Sequence, residues 1–325
     1  MRDPEGIARA LRDAESVAVC SHIHPDGDTI GSALAMRLIL LGLGKRVRVF
    51  CESKVPDNLG FLPGVEEIRP ADDCEDRFDL FLSVDASDRE RLGSCITLMA
   101  RCAHTAQIDH HASNPMVMEV NSVDGNASAT CVMIREQMRF MNIPMTREIA
   151  ICLYAGISTD TGNFSFECTD AETFRATADL MEADMPLAEM SRRLFREKSR
   201  AHLRLLGRAI ESLRYCGKNE EIAVMTLNRQ DFADCGALSE HADTIVNYGL
   251  DTIGTRMALL GRESEDGRIK FSLRAVAPLC VDGVAVRLGG GGHAQAAGIA
   301  MDGTLQETTD RVVREMIREL ETDGV

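Results

Sequence analysis

The stretch VAVCSHIHPDGDTIGS, residues 17–32, joins a short apolar run to a loop rich in polar groups. Residues 17–20 have the composition of a buried strand. The imidazole of His22 and the carboxylates of Asp26 and Asp28 follow it within seven positions. One of the two acids could also cap a helix that begins near Thr29. Packing alone does not explain a buried strand that ends in His-x-x-x-Asp-x-Asp, so the pattern indicates a site of chemistry.

Length and composition describe a globular chain large enough for two domains. Its 325 residues are 45% hydrophobic and 27% charged, which is typical of a folded chain with ordinary cores. The apolar run at residues 38–43 is far shorter than the roughly 20 residues that cross a bilayer. The first residues, MRDPE, carry acids and no apolar core. We therefore expect neither a signal peptide nor a membrane span, and a cytoplasmic location.

Charge and cysteine usage restrict the partners. The formal net charge of −15 repels long polyanions, which argues against the coating of long duplex nucleic acid. A phosphate ligand must then be bound locally, by metal ions or by a small basic pocket. The 11 cysteines are odd in number and form no Cys-x-x-Cys pair, so reduced, buried thiols are favoured over disulfides.

The N-terminal half alternates short β-rich runs with longer helical segments, and the alternation predicts an α/β fold. Helices between such strands imply a mostly parallel sheet that is covered on both faces. In these sheets ligands bind at the carboxyl ends of the strands. The predicted strands are residues 17–21, 46–50, 79–85 and 105–109, and the predicted helices are residues 29–43, 128–142, 146–158, 170–182 and 187–213.

Acids and histidines follow the ends of these elements. Asp85 ends the third strand, Asp109 ends the fourth and is followed by His110 and His111, and Asp160 lies near the end of a helix. Taken singly, each has another explanation, because a turn accounts for either isolated acid and a histidine pair is often structural. Four segments that deliver Asp and His to one sheet edge are better explained by a shared site.

Mixed carboxylate and imidazole ligands without cysteine favour Mn²⁺, Mg²⁺ or Co²⁺ over a structural zinc site. Two divalent cations about 3.5–4 Å apart share a bridging carboxylate, activate a water molecule and clamp a phosphoryl group. Asp85 stands alone at the end of its strand and is the natural bridge. The sequence therefore predicts two divalent cations, with Mn²⁺ as the first choice.

These motifs resemble those of the DHH phosphoesterase superfamily, over nearly the whole chain. The matching motifs are His22-x-x-x-Asp26-x-Asp28, Val84-Asp85, Asp109-His110-His111 and Thr159-Asp160-Thr161-Gly162. The resemblance implies two ligand sets, one of His22, Asp26 and Asp85, the other of Asp28, Asp85, His110 and Asp160. It also implies that His111 faces the substrate phosphate, as a charge stabiliser or proton donor. Asp109 would orient the histidine pair by hydrogen bonding.

The C-terminal half carries a glycine run within LGGGGHAQAAG, residues 288–298. Successive glycines let backbone N–H groups approach an anion, and we expect a helix of small residues to follow them. A flexible turn is the alternative. Together with His-x-x-Ala-Ala-Gly, the run resembles the DHH-associated C-terminal domain. The resemblance implies that Gly290, Gly291, Gly292 and His293 contact the substrate.

Upstream of the glycines, residues 270–275 predict a strand that presents Arg274. The resemblance places this arginine beside the glycine run, where it would bind a substrate phosphate; an exposed strand arginine is the alternative. Relatives usually have Ser where this chain has Ala275, and Asn where it has Cys168. The first departure would remove a hydroxyl from the substrate site, and the second leaves the rim of the site beyond Phe166 without a prediction.

The resemblance also implies the domain organisation. We predict a catalytic domain at residues 1–188, a helical linker at residues 189–208 and a smaller α/β substrate-binding domain at residues 209–325. The linker is rich in Arg and Lys, which suits a solvated connector or, alternatively, a substrate guide. We expect a monomer or a homodimer.

Two such domains without further segments resemble the stand-alone nanoRNase and pAp phosphatase branch. That branch implies a Mn²⁺-dependent hydrolase that trims short oligoribonucleotides to mononucleotides and dephosphorylates 3′-phosphoadenosine 5′-phosphate (pAp). Hydrolysis of linear or cyclic dinucleotides is the alternative. An inorganic pyrophosphatase ranks lower, because its usual C-terminal domain lacks Gly-Gly-Gly-His. A nucleotide sensor without activity ranks lower too, because the Asp and His set is complete. The direction of digestion stays open.

Overall fold

The computed structural model of the chain describes residues 2–72 and 74–323. The chain forms two compact units, Met1–Glu197 and Lys198–Val325, and each unit has its own apolar cores. The domain divisions 1–188, 189–208 and 209–325 stay a prediction. Positions 1 and 325, at which the predicted domains begin and end, lie outside the described residues.

In the described part of the N-terminal unit, six strands form one parallel sheet in the order β3-β2-β1-β4-β5-β6. Strands β1 and β4 are the central pair, and the strand order reverses between them. Ligands of α/β sheets bind at such a reversal, beyond the carboxyl ends of the strands. The elements of the unit are α1 (Pro4–Asp13), β1 (Ser16–Cys20), α2 (Gly27–Gly42), β2 (Arg46–Phe50), β3 (Ile68–Arg69), β4 (Phe78–Val84), β5 (Cys102–Asp109), β6 (Val120–Val123), α3 (Thr130–Phe140), α4 (Arg147–Asp160), α5 (Ala171–Glu182) and α6 (Leu187–Ser191).

Close packing of α2 against α4 brings two parts of the sequence to this edge. Asp26 caps α2, since its Oδ1 accepts a hydrogen bond from the Thr29 amide at 3.0 Å. A Cβ on Gly27 would lie 2.2 Å from the Thr159 hydroxyl, so only glycine allows the start of α2 to meet the end of α4. Because α4 ends at Asp160, this contact places Asp160 beside the first turn of α2.

The predicted α/β class and parallel sheet are confirmed, and the predicted strands and helices of the N-terminal half agree with the structure to within about three residues. The predicted helix at residues 187–213 is wrong. It is broken into α6, a π-helical turn at Arg192–Arg196 and a new helix, α7 (Arg200–Glu211), after extended backbone at Glu197. Ser199 restarts the helix as an N-cap, because its hydroxyl accepts from the His202 amide at 3.0 Å.

The described part of the C-terminal unit, residues 198–323, contains a mixed six-stranded sheet in the order β11-β12-β10-β9-β8-β7. Only the β8–β9 pair is parallel. Helices α10 and α11 cover one face, whereas α7, α8 and α9 pack on the other. After α7, the elements are β7 (Arg214–Cys216), β8 (Ile222–Leu227), α8 (Arg229–Cys235), α9 (Ile245–Leu250), β9 (Met257–Glu263), β10 (Ile269–Ala275), α10 (Asp282–Arg287), β11 (Gly291–His293), β12 (Ala296–Met301) and α11 (Leu305–Asp323).

The small-residue helix predicted after the glycine run is wrong. The glycines lead instead into the antiparallel pair β11–β12. The buried side chains of Ala297, Ile299 and Met301 recur every second residue, which is the period of a half-buried strand and not of a helix. No helix N-terminus therefore follows the glycines to bind an anion.

All 11 cysteines lie among the described residues as free thiols; seven of them are buried and Cys168 is exposed. The predicted buried thiols are confirmed for those seven. Within residues 2–72 and 74–323, no helix combines the length and the apolar character needed to span a bilayer.

Candidate active site

Asp85 occupies the centre of the cluster at the ends of β1 and β4. Its backbone is left-handed, with φ of 55°, a conformation that costs a non-glycine residue about 1–3 kcal/mol and recurs at functional sites. The side chain is buried, with Oδ2 3.5 Å from His22 Nε2 and Oδ1 3.6 Å from His110 Nε2. Each oxygen of this carboxylate therefore faces a different imidazole.

Backbone carbonyls orient both imidazoles. His22 Nδ1 lies 2.6 Å from the carbonyl oxygen of Ile23, and His110 Nδ1 lies 3.2 Å from that of Ala127. A carbonyl oxygen only accepts hydrogen bonds, so each Nδ1 carries the proton that is donated. Each Nε2 then faces the acids and has its lone pair available for a cation that binds among them, as in histidines that bind metals.

The first turn of α3 holds Asp28. The Thr130 amide donates to Oδ2 at 2.6 Å, and the Cys131 amide donates to Oδ1 at 2.9 Å. These N–H groups have no partner within their own helix, and the helix dipole favours a carboxylate there. A Cβ on Gly156 would lie 2.5 Å from Asp28 Oδ1, so any larger residue at this position of α4 would clash with the Asp28 carboxylate.

The residues predicted as metal ligands come together in sets that share members. In each set the candidate ligand atoms lie within 4.8 Å of one another. Asp85 belongs to two sets, and His110 also belongs to two. Their assignment to individual cations stays a prediction. The sets are His22, Asp26 and Asp85; Asp85, His110 and His111; and Asp28, His110 and Asp160.

The charges of the cluster fit divalent cations. Burial raises the pKa of Asp28 well above its ordinary value, and the charges of Asp85 and Asp160 raise it further. Burial likewise raises the pKa of Asp160 to about 6. Burial lowers the pKa of His110, but its hydrogen bond to Asp160 and the nearby acids outweigh burial and raise that pKa to about 11. Raised pKa values mean that the negative charges of these buried acids are not compensated by positive charge nearby. Divalent cations bound among them would supply that charge.

A second hydrogen-bond chain orients His111. Its Nδ1 lies 2.7 Å from Asp109 Oδ1, and Asn114 Nδ2 donates to Asp109 Oδ2 at 2.6 Å. Asn114 also donates to the carbonyl oxygen of Ala86 at 3.1 Å and accepts from Gln107 Nε2 at 3.0 Å. Asn114 therefore ties the loop after β5 to the loop after β4. Asp109 is fully buried and takes part in none of the three candidate ligand sets, as expected of an orienting group.

Asn114→Asp is expected to lower kcat about 10- to 100-fold while metal content stays at the wild-type level, the usual cost of losing a partner that orients a site group. The substitution keeps the shape of the side chain but replaces the donor to Asp109 with an acceptor. Steady-state kinetics and metal analysis test this. Asn142→Asp, the same change at an exposed turn, is the control. A wild-type kcat in Asn114→Asp would exclude the orienting role.

Several residues of the cluster have no signal in the sequence. The Thr29 hydroxyl donates to Asp85 Oδ2 at 2.7 Å, and the Thr130 hydroxyl donates to Asp85 Oδ1 at 3.0 Å. One guanidinium nitrogen of Arg91 lies 3.2 and 3.3 Å from the two ring nitrogens of His22. The two threonines lie in first turns of helices, where Thr is ordinary. For Asn114, the following proline would have indicated only a turn.

In the C-terminal unit, strand register places Arg274 and His293 on one face. Arg274 pairs with Ala296 on β12, and Ala296 pairs with His293 on β11. Directly paired residues of antiparallel strands point to the same side of the sheet. Arg274 Nη1 donates to the Leu273 carbonyl oxygen at 2.9 Å. The two side chains thus flank the methyl group of Ala296.

The predicted contact glycines serve different structural needs. A Cβ on Gly290 would lie 2.2 Å from the Gly298 carbonyl oxygen, so glycine is required there, and the Gly290 amide already donates to the Ala285 carbonyl oxygen. Gly291 and Gly292 are exposed, as is His293. Their exposure on β11 leaves the backbone beside His293 accessible.

The two departures from the usual pattern have structural explanations. Ala275 is buried in the core on the face opposite Arg274, so a hydroxyl at this position would point away from the Arg274 side chain; its loss from the substrate site stays a prediction. The Cys168 thiol donates to the Asp160 carbonyl oxygen at 3.7 Å. Cys168 therefore contributes a weak hydrogen bond at the rim of the cluster.

Comparison with known proteins agrees with this geometry. Residues 16–157 match the DHH family, N-terminal domain, and residues 219–322 match the DHHA1 domain. The bifunctional oligoribonuclease and PAP phosphatase NrnA of Thermus thermophilus is 30% identical over 98% of this chain and 94% of its own length. The chain belongs to the DHH family. It is accordingly a hydrolase that acts on phosphoester bonds, as the motifs predicted.

Other relatives cover a similar extent. The protein of the same name from Bacillus subtilis is 23% identical, over 91% of this chain and 92% of its own. An exopolyphosphatase-related protein from Bacteroides fragilis has the same fold, with a TM-score of 0.90 at 24% identity, over 98% of this chain and 95% of that one. These relatives therefore match this chain over nearly its whole length.

Proposed function

We propose that this DHH-family hydrolase trims short oligoribonucleotides to mononucleotides and removes a phosphate from pAp, with Mn²⁺ as the preferred cation. The observation that carries the proposal is Asp85, whose two oxygens face His22 and His110 separately. The full-length similarity to the Thermus thermophilus oligoribonuclease and PAP phosphatase supports the substrate class. The cytoplasmic location and the monomeric or dimeric state stay predictions.

Divalent cations at the cluster would supply a nucleophilic water of lowered pKa and neutralise charge on the phosphoryl group. His22, Asp26, Asp28, Asp85, His110 and Asp160 are the residues that would hold them. Asp85 would fix the distance between the cations, because the hydroxyls of Thr29 and Thr130 hold its two oxygens in place. No cysteine belongs to the candidate sets, which suits Mn²⁺ or Mg²⁺.

His111 is the proposed proton donor. Asp109 accepts from its Nδ1, which leaves Nε2 for the oxygen that departs from phosphorus. The side chain is 28% exposed, so a substrate can reach it. A positioned acid of this kind contributes about 10²- to 10⁴-fold to a rate, and it also stabilises negative charge as that charge develops.

Substrate binding is assigned to the C-terminal unit. Arg274, His293 and the exposed backbone of Gly291 and Gly292 would hold the phosphate of a terminal nucleotide. Arginine suits this role because its guanidinium binds phosphate oxygens through two parallel hydrogen bonds. The register that places Arg274 and His293 on one face supports this assignment.

Short substrates are expected to be preferred, and their cleavage tests the proposed function. A protein with a net charge of −15 gains little binding energy from further phosphates along an RNA strand. The value of kcat/KM should therefore be highest for RNAs of about two to five nucleotides and should depend only modestly on salt. Product profiles from pAp, dinucleotides and longer RNA measure this preference. Equal efficiency on a strand of about 20 nucleotides, with steep loss in salt, would indicate a processive exonuclease.

A further inference from the structure

Strand β10 carries a polar row on one face. Lys270, Ser272 and Arg274 are half-buried and alternate with the buried side chains of Phe271 and Leu273. The period of two assigns the polar residues to the sheet face opposite the α10–α11 core. Arg274 is thus the last member of a row that continues along the strand, and the proposed substrate contact has two polar neighbours on its own face.

The strand beside this row presents only very small residues. Across β12, Lys270 pairs with Ala300, Ser272 with Gly298 and Arg274 with Ala296. No side chain larger than a methyl group stands between the row and β11 at these positions. On the other side of β10, α9 covers the same face, since a Cβ on its Gly249 would lie 3.0 Å from that of Ala223 on β8. The accessible part of the face is therefore a shallow strip floored by β12.

The strip is positively charged and limited in length. Lys270 and Arg274 are four residues apart, a distance of about 13 Å along a strand. The acid Asp243 is already paired. Arg262 lies on β9 beside Lys270, and its Nη1 is 2.9 Å from Asp243 Oδ1, so Arg262 neutralises Asp243. Lys270, Arg274 and the Ser272 hydroxyl lie beside the small residues of β12, where they can bind the phosphate and ribose oxygens of a nucleic acid backbone.

Beyond Lys270 the charge changes sign. Lys270 borders a cavity of about 760 Å³ that lies between α8, residues 237–240 and the β9–β10 hairpin. The acids of its lining are Glu240, Glu263, Glu265 and Asp266. The lining also includes Arg229, whose guanidinium donates to the carbonyl oxygens of Ser264 and Glu265 and keeps its positive charge. The four carboxylates still outnumber the two cationic side chains of the lining, Arg229 and Lys270. A polyanion that extends past Lys270 therefore meets carboxylates that repel it.

We propose that Lys270 and Ser272 extend substrate binding from Arg274 along β10, and that the acids around the cavity end it. Lys270 would bind a phosphate, and Ser272 a phosphate oxygen or a ribose hydroxyl. The strip then sets the length of RNA that the C-terminal unit accepts. This inference rests on the proposed function, because it assumes that Arg274 holds a nucleotide.

Lys270→Gln tests the binding half of the proposal. The ratio of kcat/KM for a five-nucleotide RNA to that for pAp should fall about tenfold, because pAp carries no backbone beyond Arg274. The slope of log affinity against log salt should decrease by about 1, the effect of one lost phosphate contact. Lys218→Gln, at a turn before β8, is the matched control. A wild-type ratio and a wild-type salt slope in Lys270→Gln would overturn the assignment.

The acids are tested by a gain of function. In the double variant Glu240→Gln/Glu265→Gln, kcat/KM for a strand of about 20 nucleotides should rise several-fold relative to that for a dinucleotide, because the repulsion is removed. The double variant Glu66→Gln/Glu67→Gln removes the same charge from two exposed positions of the N-terminal unit and should keep the wild-type length profile. An equal profile in both double variants would overturn the proposed limit on length.

Binding measurements separate this inference from the proposed function. Fluorescence anisotropy with labelled five- and 20-nucleotide RNA, in an Asp85→Asn background that cannot turn over, reports length selection alone. A wild-type enzyme that cleaves no RNA would refute the proposed function. Cleavage by wild type, with binding of the two RNAs unaffected by Lys270→Gln and by the Glu240/Glu265 double variant, would refute only the inference about length.

Discussion

Asp85→Asn is expected to abolish turnover, with a loss on the order of a thousandfold or more in kcat. One carboxylate faces the imidazoles of both His22 and His110, so removing its charge weakens both predicted cation sites. Metal catalysis supplies several kcal/mol of transition-state stabilisation, and each 1.36 kcal/mol is a factor of ten in rate. Asn keeps the shape of the side chain, so the fold should survive. Rate and bound metal should fall together.

Activity, metal content and thermal unfolding of the same preparation measure this effect. The control is Asp251→Asn, which removes one charge at an exposed position of the C-terminal unit. Its activity, metal content and thermal unfolding should stay near wild type. Wild-type activity in Asp85→Asn, or full metal content with lost activity, would exclude Asp85 as the bridge between two cations.

Arg274→Ala and His293→Ala are expected to lower kcat/KM for dinucleotides and pAp by about 10- to 100-fold, mainly through KM. A hydrogen bond to a charged group is worth about 1.5–3 kcal/mol, and these residues are assigned to substrate binding and not to the cations. Misplacement of the phosphate would lower kcat as well. Metal content should remain at the wild-type level in both variants.

A generic bis-aryl phosphodiester provides the internal comparison for these variants. It lacks a terminal nucleotide phosphate for Arg274 and His293 to bind, so its hydrolysis should be affected much less. Equal losses on the aryl ester and on the dinucleotide would contradict the separation of metal binding and substrate binding between different residues.

The clustering of the predicted metal ligands could be predicted from sequence because each lies at or after a strand end or ends a helix. A buried strand leaves little freedom for the next residues, so Asp85 and His110 must lie at the carboxyl edge of the sheet. The topology then brings them together whatever the details of packing. The same reasoning covers His22 and Asp28, which share one strand end.

The supporting residues could not be found this way. Thr130 reaches Asp85 from a helix 45 positions later in the chain, and Asn114 reaches Ala86 across 28 positions; no local pattern encodes such contacts. The small residues after the glycines suit a helix or a strand equally by composition, and only pairing with β10 decides between them. Likewise, the helix breaks at Glu197 and restarts at Ser199, although the charged pattern continues on both sides.

Metal titration coupled to product analysis tests the central claim most directly. Protein stripped by a chelator should be inactive on a dinucleotide and on pAp. Mn²⁺ should restore activity as two cations bind per chain, with mononucleotides and AMP as the products. Calorimetry gives the stoichiometry and chromatography identifies the products. Hydrolysis that persists without any divalent cation, or the binding of two cations without cleavage of either substrate, would contradict the account.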